Sequence, residues 1–231
     1  MIDGGVLVTG TDTGVGKTVV SAVLAACWAA DGHDVAYVKP AQSGAADGDD
    51  DAAAVARWTA IAGEVVGTVL DESLAPALAA RRAGIELTAA DLVEPVLDAG
   101  RRWPQARLVV EGAGGLLVEL GTDGTTCADL AAGLDLPLVV VARPGLGTLN
   151  HTALTLAEAD RRGLDVAGVV VCGYPDDPDL ATRTNLAELA RLSDGRLAGV
   201  VPWVEDLHAR HLVDAPSWLG PALGGTADGW H

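Results

Sequence analysis

Phenylalanine is absent from this chain of 231 residues, and aromatic residues of all kinds make up only 3% of it. The interior must therefore be packed with the aliphatic side chains that bring the hydrophobic fraction to 49%. No apolar stretch approaches the roughly 18 residues of a membrane-spanning helix, and no basic segment followed by a long apolar one indicates an export signal. We therefore expect a cytoplasmic protein that does not enter a membrane.

Cysteine is scarce as well. Cys27, Cys127 and Cys172 are odd in number, lack the spacing of metal ligands and each lie within an apolar stretch. This pattern indicates buried free thiols in a reducing compartment, and it disfavours a disulfide framework or a zinc site.

Positive charge is the third shortage. The formal net charge is −17, which argues against nucleic acid as a partner. Only two of the 15 basic residues are lysines, Lys17 and Lys39. In a chain that otherwise uses arginine, a retained lysine suggests a need for a compact ammonium group. The alternative is that the other surface lysines were lost by chance. Lys39 is therefore a candidate functional residue.

A glycine-rich stretch, GTDTGVGKT at 10–18, lies between a short apolar run and an alanine-rich helical pattern. Such a turn leaves backbone N–H groups free at a helix N-terminus, where they bind anions such as phosphate. Lys17 would add positive charge near the β- and γ-phosphates, and Thr18 would hold Mg²⁺. The first glycine, Gly10, lies one residue earlier than in the usual G-x-x-x-x-G-K-[ST] pattern, and a purely structural turn is the alternative.

Strand and helix patterns alternate along the chain. Strands are predicted at 6–9, 35–38, 107–110, 137–142, 166–172 and 198–201, and 65–70 is an ambiguous short strand. Helices are predicted from the loop to 30, at 52–62, from 88 to before 104, from 151 to 162 and at 180–192. We expect one domain over 1–231, an α/β fold with a doubly wound, mostly parallel sheet and helices on both faces. The glycine-rich segment 220–231 is expected to be a mobile tail.

Two charged residues follow predicted strands directly. Lys39 follows the second strand and Glu111 follows the third, and ligands collect at the carboxyl ends of parallel strands. An acidic run at 49–51 stands in the loop after the second strand, and one of its three aspartates is a candidate Mg²⁺ ligand. The alternatives are a solvated lysine, a surface glutamate before a glycine turn and a solvated acidic loop. A second strand-to-helix turn, GLGTLNH at 145–151, is a further candidate anion site.

These stretches, taken together, resemble the dethiobiotin synthetase family. The matching motifs are GTDTGVGKT at 10–18, KP at 39–40 with SG at 43–44, Asp51 before AAAV, EGAGG at 111–115, GLGTLNH at 145–151 and PW at 202–203. They occur in the order and at the spacing of that family, which has a P-loop NTPase-like fold. EGAGG and PW are weak when taken singly, whereas the set is specific.

The resemblance implies an ATP- and Mg²⁺-dependent carboxylation of 7,8-diaminopelargonate by CO₂, which closes the ureido ring of dethiobiotin through a carbamate and a carbamic-phosphoric anhydride. It also implies a homodimer with active sites at the interface. A small-molecule enzyme of this kind needs neither nucleic acid nor a membrane. The alternative is a regulatory ATPase of the partitioning or septum-placement type, which shares the fold but carries an additional lysine early in the phosphate loop. No lysine precedes Lys17 here.

The resemblance also implies residue roles. The predicted catalytic residues are Lys17, Lys39 and Thr13, and the predicted Mg²⁺ ligands are Thr18, Asp51 and Glu111. Nucleotide contacts are expected from Gly14, Val15, Gly16, Lys17, Thr18, Val19, Asp51, Glu111, Gly112, Ala113, Gly114, Gly173, Tyr174, Pro202, Trp203 and Val204. Substrate contacts are expected from Thr13, Lys39 and Ser43, and from the partner subunit's turn at Leu146, Gly147, Thr148, Leu149 and Asn150.

One departure concerns the nucleobase. The family usually places an asparagine after the fifth strand to read the adenine edge, whereas this chain has Cys172-Gly173-Tyr174 there. Backbone groups near Gly173 and Pro202 would then contact the base. We therefore expect other nucleoside triphosphates to be accepted alongside ATP.

Overall fold

The computed structural model describes residues 4–229. Within that range one seven-stranded sheet has the order β3-β2-β4-β1-β5-β6-β7, and all of its strand pairings are parallel. The strands are β1 (Val6–Gly10), β2 (Val35–Ser43), β3 (Gly63–Leu70), β4 (Arg107–Gly115), β5 (Leu138–Ala142), β6 (Val166–Tyr174) and β7 (Leu197–Pro202). The helices are α1 (Lys17–Ala30), α2 (Asp51–Trp58), α3 (Pro76–Ala83), α4 (Ala89–Arg102), α5 (Cys127–Leu134), α6 (Thr148–Arg161) and α7 (Leu180–Leu192).

The core has two layers because alternate strand residues face opposite sides of the sheet. Val38 and Val110 belong to the layer that includes α4, whereas Tyr37 and Val109 belong to the layer that includes α1. β1 and β5 are buried along their whole length, as apolar strands in the middle of a parallel sheet must be. The predicted α/β fold with a doubly wound parallel sheet and helices on both faces is confirmed.

Helix starts follow local capping chemistry. The predicted start of α4 is confirmed: Thr88 and Asp91 form a reciprocal capping box, in which the Asp91 carboxylate accepts from the Thr88 backbone N–H at 2.8 Å. The same device at Thr126 and Asp129 begins α5, a helix that the sequence analysis did not predict. α2 ends at Trp58, earlier than the expected residue 62, because Thr59 adopts an extended conformation. The ends of α1, α4, α6 and α7 lie within two residues of their predicted positions.

Two strands, β2 and β4, each extend five residues beyond their predicted ends, from 38 to 43 and from 110 to 115. β2 continues beyond Val38 to Ser43 because it stays paired with β3, the strand that the sequence left ambiguous. β4 continues through Glu111 to Gly115 because it stays paired with β1. Lys39 and Glu111 thus lie within strands and not just after them, which corrects their predicted placement.

The segment after residue 220 is packed over much of its length. Leu223 is buried, and its carbonyl oxygen accepts a hydrogen bond from the Trp28 indole N–H at 3.1 Å. The Thr226 backbone N–H donates to the Pro216 carbonyl at 2.7 Å. Residues 230 and 231 of the expected tail lie outside the described part of the chain. The chain therefore stays packed against the domain at least to Thr226, beyond the start of the glycine-rich tail that was expected to be mobile.

Candidate active site

The phosphate loop, residues 10–18, joins the end of β1 to the start of α1. Gly16 is the N-cap of α1 in a left-handed conformation (φ 96°), and no side chain caps the helix. The first N–H groups of α1 therefore remain available to an anion, reinforced by the helix dipole. The buried Lys17 ammonium donates to the Asp12 carbonyl oxygen within the same loop at 3.2 Å. The loop thus has the backbone donors and the cation of a phosphate site.

A carboxylate cluster, which we define as Thr18, Lys39, Asp51 and Glu111, lies beside this loop. The Lys39 ammonium is 2.6 Å from Asp51 Oδ2 and 2.8 Å from Glu111 Oε1. The Thr18 hydroxyl is 2.9 Å from Asp51 Oδ1 and 3.0 Å from Glu111 Oε1, so its single proton is shared between two acceptors. The predicted cation, hydroxyl and carboxylates therefore lie within direct contact of one another.

Sheet register explains why Lys39 meets Glu111. β2 and β4 pair in parallel up to Val38 and Val110, and the next residue of each strand is Lys39 and Glu111. These neighbours point to the same side, and the strands separate there. The Lys39 ammonium also donates to the Gly112 carbonyl at 3.1 Å. Lys39 is thereby fixed between the two diverging strands.

Burial and charge act differently on the two lysines. Burial alone lowers the pKa of Lys39, but the carboxylates of Glu111 and Asp51 outweigh it, and the net effect is a raised pKa. Burial lowers the pKa of Lys17, and although Glu111 opposes this, the nearby Lys39 adds to it. Lys39 therefore remains firmly charged, while Lys17 gains most from an added anion.

A larger cleft of about 710 Å³ brings most of the predicted phosphate, metal and substrate residues together. Its lining includes Thr13, Gly14, Gly16, Lys17, Thr18, Val19, Lys39, Ser43, Asp51, Glu111, Ala113 and Gly114. Gln42, Asp49 and Ser73 also line it and were not assigned there from the sequence. Gln42 and Asp49 could have been predicted to line the cleft from their place in the sequence. Gln42 lies between Lys39 and Ser43, and Asp49 lies between Ser43 and Asp51. The volume suits a small-molecule site.

The acidic run at 49–51 divides into separate roles. Asp51 contacts Thr18 and Lys39, whereas Asp50 caps α2 by accepting from the Ala53 N–H at 2.8 Å. Asp49 lines the larger cleft. Of the three, Asp51 is the one in the carboxylate cluster.

A smaller cleft of about 190 Å³ meets the larger one at the phosphate loop. Gly14, Gly16 and Val19 border both, and Val15, Cys172, Gly173, Val201, Pro202, Trp203, Val204 and Leu207 complete the smaller one. Burial raises the pKa of the Cys172 thiol to about 12, so the thiol is neutral. Tyr174 and Gly112 line neither cleft; each contributes a carbonyl oxygen, to Trp203 N–H and Lys39 respectively.

The turn at 145–151 does not reach either cleft within one chain. Leu146 is 80% exposed, and Gly147, Leu149 and Asn150 are also absent from both linings. Gly147 caps α6 in a left-handed conformation (φ 92°) with no side-chain cap, as Gly16 does for α1. Thr148 is fully buried, and its hydroxyl has no hydrogen-bond partner among the residues that the structure describes. A role for this turn in the larger cleft requires a second subunit.

Side chains alone do not complete a metal site. Among residues 4–229, no group of three or more His, Cys, Asp or Glu side chains could hold a metal ion. Mg²⁺ in phosphoryl-transfer enzymes is typically bound by one or two carboxylates together with substrate phosphates. Two carboxylates and a hydroxyl beside a phosphate loop match that donor set.

Comparison with known proteins decides the family. A family model described as an AAA domain matches residues 4–211. The ATP-dependent dethiobiotin synthetase BioD of Frankia casuarinae is 49% identical over 224 residues, which cover 95% of this chain and 93% of that protein. The protein of the same name in Streptomyces avermitilis is 46% identical over 230 residues, covering 96% and 94%. The chain belongs to the dethiobiotin synthetase family.

Solved structures show the same fold at low identity. A ParA family ATPase from Chlorobium tepidum has a TM-score of 0.55 at 14% identity, with 91% of this chain and 89% of that chain covered. The MinC:MinD complex of Aquifex aeolicus has a TM-score of 0.55 at 11% identity, with 89% and 85% covered. The regulatory-ATPase alternative therefore shares the P-loop NTPase-like architecture alone, whereas the dethiobiotin synthetases share nearly half of the sequence. The chain is accordingly an enzyme of the ATP-dependent ligase class.

Proposed function

We propose that this enzyme carboxylates 7,8-diaminopelargonate with CO₂ and closes the ureido ring of dethiobiotin, using ATP and Mg²⁺. The observation that carries the proposal is the meeting of both lysines, Thr18, Asp51 and Glu111 at one cleft. Family membership supports the substrate class, and the cleft contains both a buried cation, Lys39, and the phosphate loop.

Lys17 and the N–H groups of residues 14–18 would hold the ATP phosphates. The Asp12 carbonyl that Lys17 contacts is a weaker partner than a phosphate oxygen, because a phosphate carries a formal negative charge that attracts the ammonium and a carbonyl does not. Ala113 and Gly114 line the same cleft.

Thr18, Asp51 and Glu111 would hold Mg²⁺, which when bound offsets negative charge on the phosphates during transfer. The cluster is suited to this because its two carboxylates exceed the single Lys39 charge between them. An additional cation is therefore favoured at this position.

Lys39 would neutralise charge that develops between the carbamate and the transferred phosphoryl group. Its ammonium is held by two carboxylates and a carbonyl, so it needs little reorganisation to act as a fixed cation. Thr13 and Ser43 line the same cleft and would hydrogen-bond the diamine or its carbamate.

The proposed reaction proceeds in three steps. One amine adds to CO₂ and loses a proton, which gives the carbamate. A carbamate oxygen then attacks the γ-phosphorus, and the bond to the ADP oxygen breaks. The second amine attacks the carbonyl carbon of this mixed anhydride, loses a proton and releases phosphate as the ring closes. Correct positioning of the two ends of a flexible substrate would supply much of the rate.

We further propose a homodimer in which the partner subunit's turn at 146–150 binds the distal carboxylate of the substrate. Support comes from the uncapped N-terminus of α6 and from the exposure of Leu146, which leave this turn free to meet a second chain. We place the reaction in the cytoplasm, where free thiols such as the three cysteines persist. None of the helices in residues 4–229 has both the length and the apolar character that crossing a bilayer demands.

The test is ADP release by the purified enzyme with 7,8-diaminopelargonate and bicarbonate. We expect release that depends on the diamine, and a loss of at least about 100-fold for Lys39→Gln, in keeping with removal of one preorganised charge. The control Arg191→Gln removes an exposed cation on α7 and should leave the rate unchanged. ADP release that is independent of the diamine would overturn the assignment.

A further inference from the structure

The two carboxylate oxygens of Glu111 have different partners. Oε1 contacts Thr18 and Lys39, which line the larger cleft. Oε2 accepts hydrogen bonds from the Ser21 hydroxyl at 2.8 Å and the Tyr37 hydroxyl at 3.0 Å. Neither Ser21 nor Tyr37 lines the cleft, and both are fully buried. The carboxylate thus has one oxygen toward the cleft and one held from behind.

The periodicity of each element produces this arrangement. Ser21 lies three residues after Thr18 on α1, so the two side chains share a helix face. Tyr37 lies two residues before Lys39 on β2, so these two share a face of the strand. Each element therefore presents one group to the cleft side of Glu111 and one to its far side.

Tyr37 is unusual for the core that surrounds it. Its ring packs among aliphatic residues of the layer that includes α1, and a buried hydroxyl is costly unless it is hydrogen-bonded. A tyrosine hydroxyl is protonated at neutral pH, and this one donates to Glu111 Oε2 at 3.0 Å. Within residues 4–229, Glu111 is the one side chain that accepts this hydrogen bond.

We propose that Ser21 and Tyr37 are positioning residues that fix the orientation of the Glu111 carboxylate so that Oε1 faces the metal and the nucleotide. The inference rests on the proposed metal site. Rotation of the carboxylate would break both hydrogen bonds to Oε2, which is costly because both donors are fully buried. Groups of this kind behind a metal ligand typically affect metal affinity by about 10- to 100-fold.

The experiment titrates Mg²⁺ into enzyme that is saturated with AMP-PNP, a non-hydrolysable ATP analogue, by calorimetry. In Tyr37→Phe and in Ser21→Ala the half-saturating Mg²⁺ concentration should rise about tenfold. The dissociation constant of metal-free AMP-PNP, measured in EDTA, should stay at the wild-type value. The matched control Ser193→Ala removes another fully buried hydroxyl, which donates to the Ala190 carbonyl and not to Glu111, and should change neither constant.

The outcomes separate this inference from the proposed function. If wild-type enzyme shows no Mg²⁺ dependence, the metal site and the positioning role both fail. If wild type responds and both variants match it, the metal site stands and the positioning role is wrong. An equal loss of metal-free AMP-PNP affinity in both variants would indicate a purely structural role and would also overturn the inference. If Tyr37→Phe does not fold, Ser21→Ala decides alone.

Discussion

The larger and the smaller cleft meet at Gly14, Gly16 and Val19, yet they are built from different chemistry. The larger cleft is lined by charged groups that form ion pairs and hydrogen bonds with one another. The Lys39 ammonium, for example, pairs with both Asp51 and Glu111. The smaller cleft is lined by Val15, Cys172, Trp203 and other mostly apolar side chains.

The difference indicates which cleft tolerates substitutions and which one discriminates strictly between ligands. A buried charge must be paired or hydrogen-bonded, so the larger cleft tolerates little change. An apolar cleft gains free energy from any surface that it covers and discriminates weakly between similar ligands. We expect substitutions in the larger cleft to abolish activity, and substitutions in the smaller one to alter nucleotide affinity.

Glu111→Gln is expected to have the largest effect. The change removes one of the two carboxylates paired with the buried Lys39, and breaking such a pair typically costs about 3 kcal/mol of unfolding free energy or more. It also removes a proposed metal ligand, so kcat/KM should fall by at least about 1,000-fold. Urea unfolding and steady-state ADP release measure the two effects.

The control for Glu111→Gln is Glu158→Gln on α6. Glu158 pairs with Arg161 and Arg162 at the surface, where ion pairs contribute little. The control should leave the unfolding midpoint and kcat/KM near wild type. Near-wild-type activity in Glu111→Gln would remove the contrast between the clefts, because the larger one would then tolerate the loss of a buried charge.

The predictable part of the site came from motifs that have a local physical cause. Lys17 and Thr18 follow a glycine turn, and Lys39 and Glu111 follow apolar runs within parallel strands, so topology brings them to one edge of the sheet. The contacts of Ser21 and Tyr37 with Glu111 depend on the register between α1, β2 and β4, which no local pattern specifies. The fold class was predictable because apolar strands alternate with helices along the chain.

Gly16→Ala tests the boundary between the clefts. Gly16 has a φ of 96°, and a Cβ there would lie 2.5 Å from the Cys172 sulfur. Strain of this kind costs about 2 kcal/mol, so the KM for ATP should rise about 30-fold. Adding Cys172→Ala should restore part of the affinity, because it removes the contact with the sulfur but neither the 3.1 Å contact with the Cβ of residue 172 nor the unfavourable φ.

Gly133→Ala is the matched control for Gly16→Ala. Gly133 lies in α5, and nothing would lie within 4 Å of its added Cβ. The KM for ATP should stay unchanged, and alanine in a helix interior should stabilise the protein by about 0.5–1 kcal/mol. If Gly16→Ala matches this control in its KM for ATP, the backbone conformation at Gly16 does not determine ATP affinity.

The smallest expected effect is the preference for one nucleobase, which we propose binds in the smaller cleft. Its side chains carry few hydrogen-bonding groups: the Cys172 thiol is neutral and a weak donor, and Trp203 has one indole N–H on a ring that is 67% exposed. We therefore expect kcat/KM for GTP and CTP to lie within about tenfold of that for ATP, since stacking and apolar contact do not distinguish bases. Trp203→Ala should raise the KM of all three nucleotides by a similar factor, with kcat unchanged. A loss of about 1,000-fold for both GTP and CTP would show that backbone groups near Gly173 and Pro202 read the base as strictly as a buried polar site does.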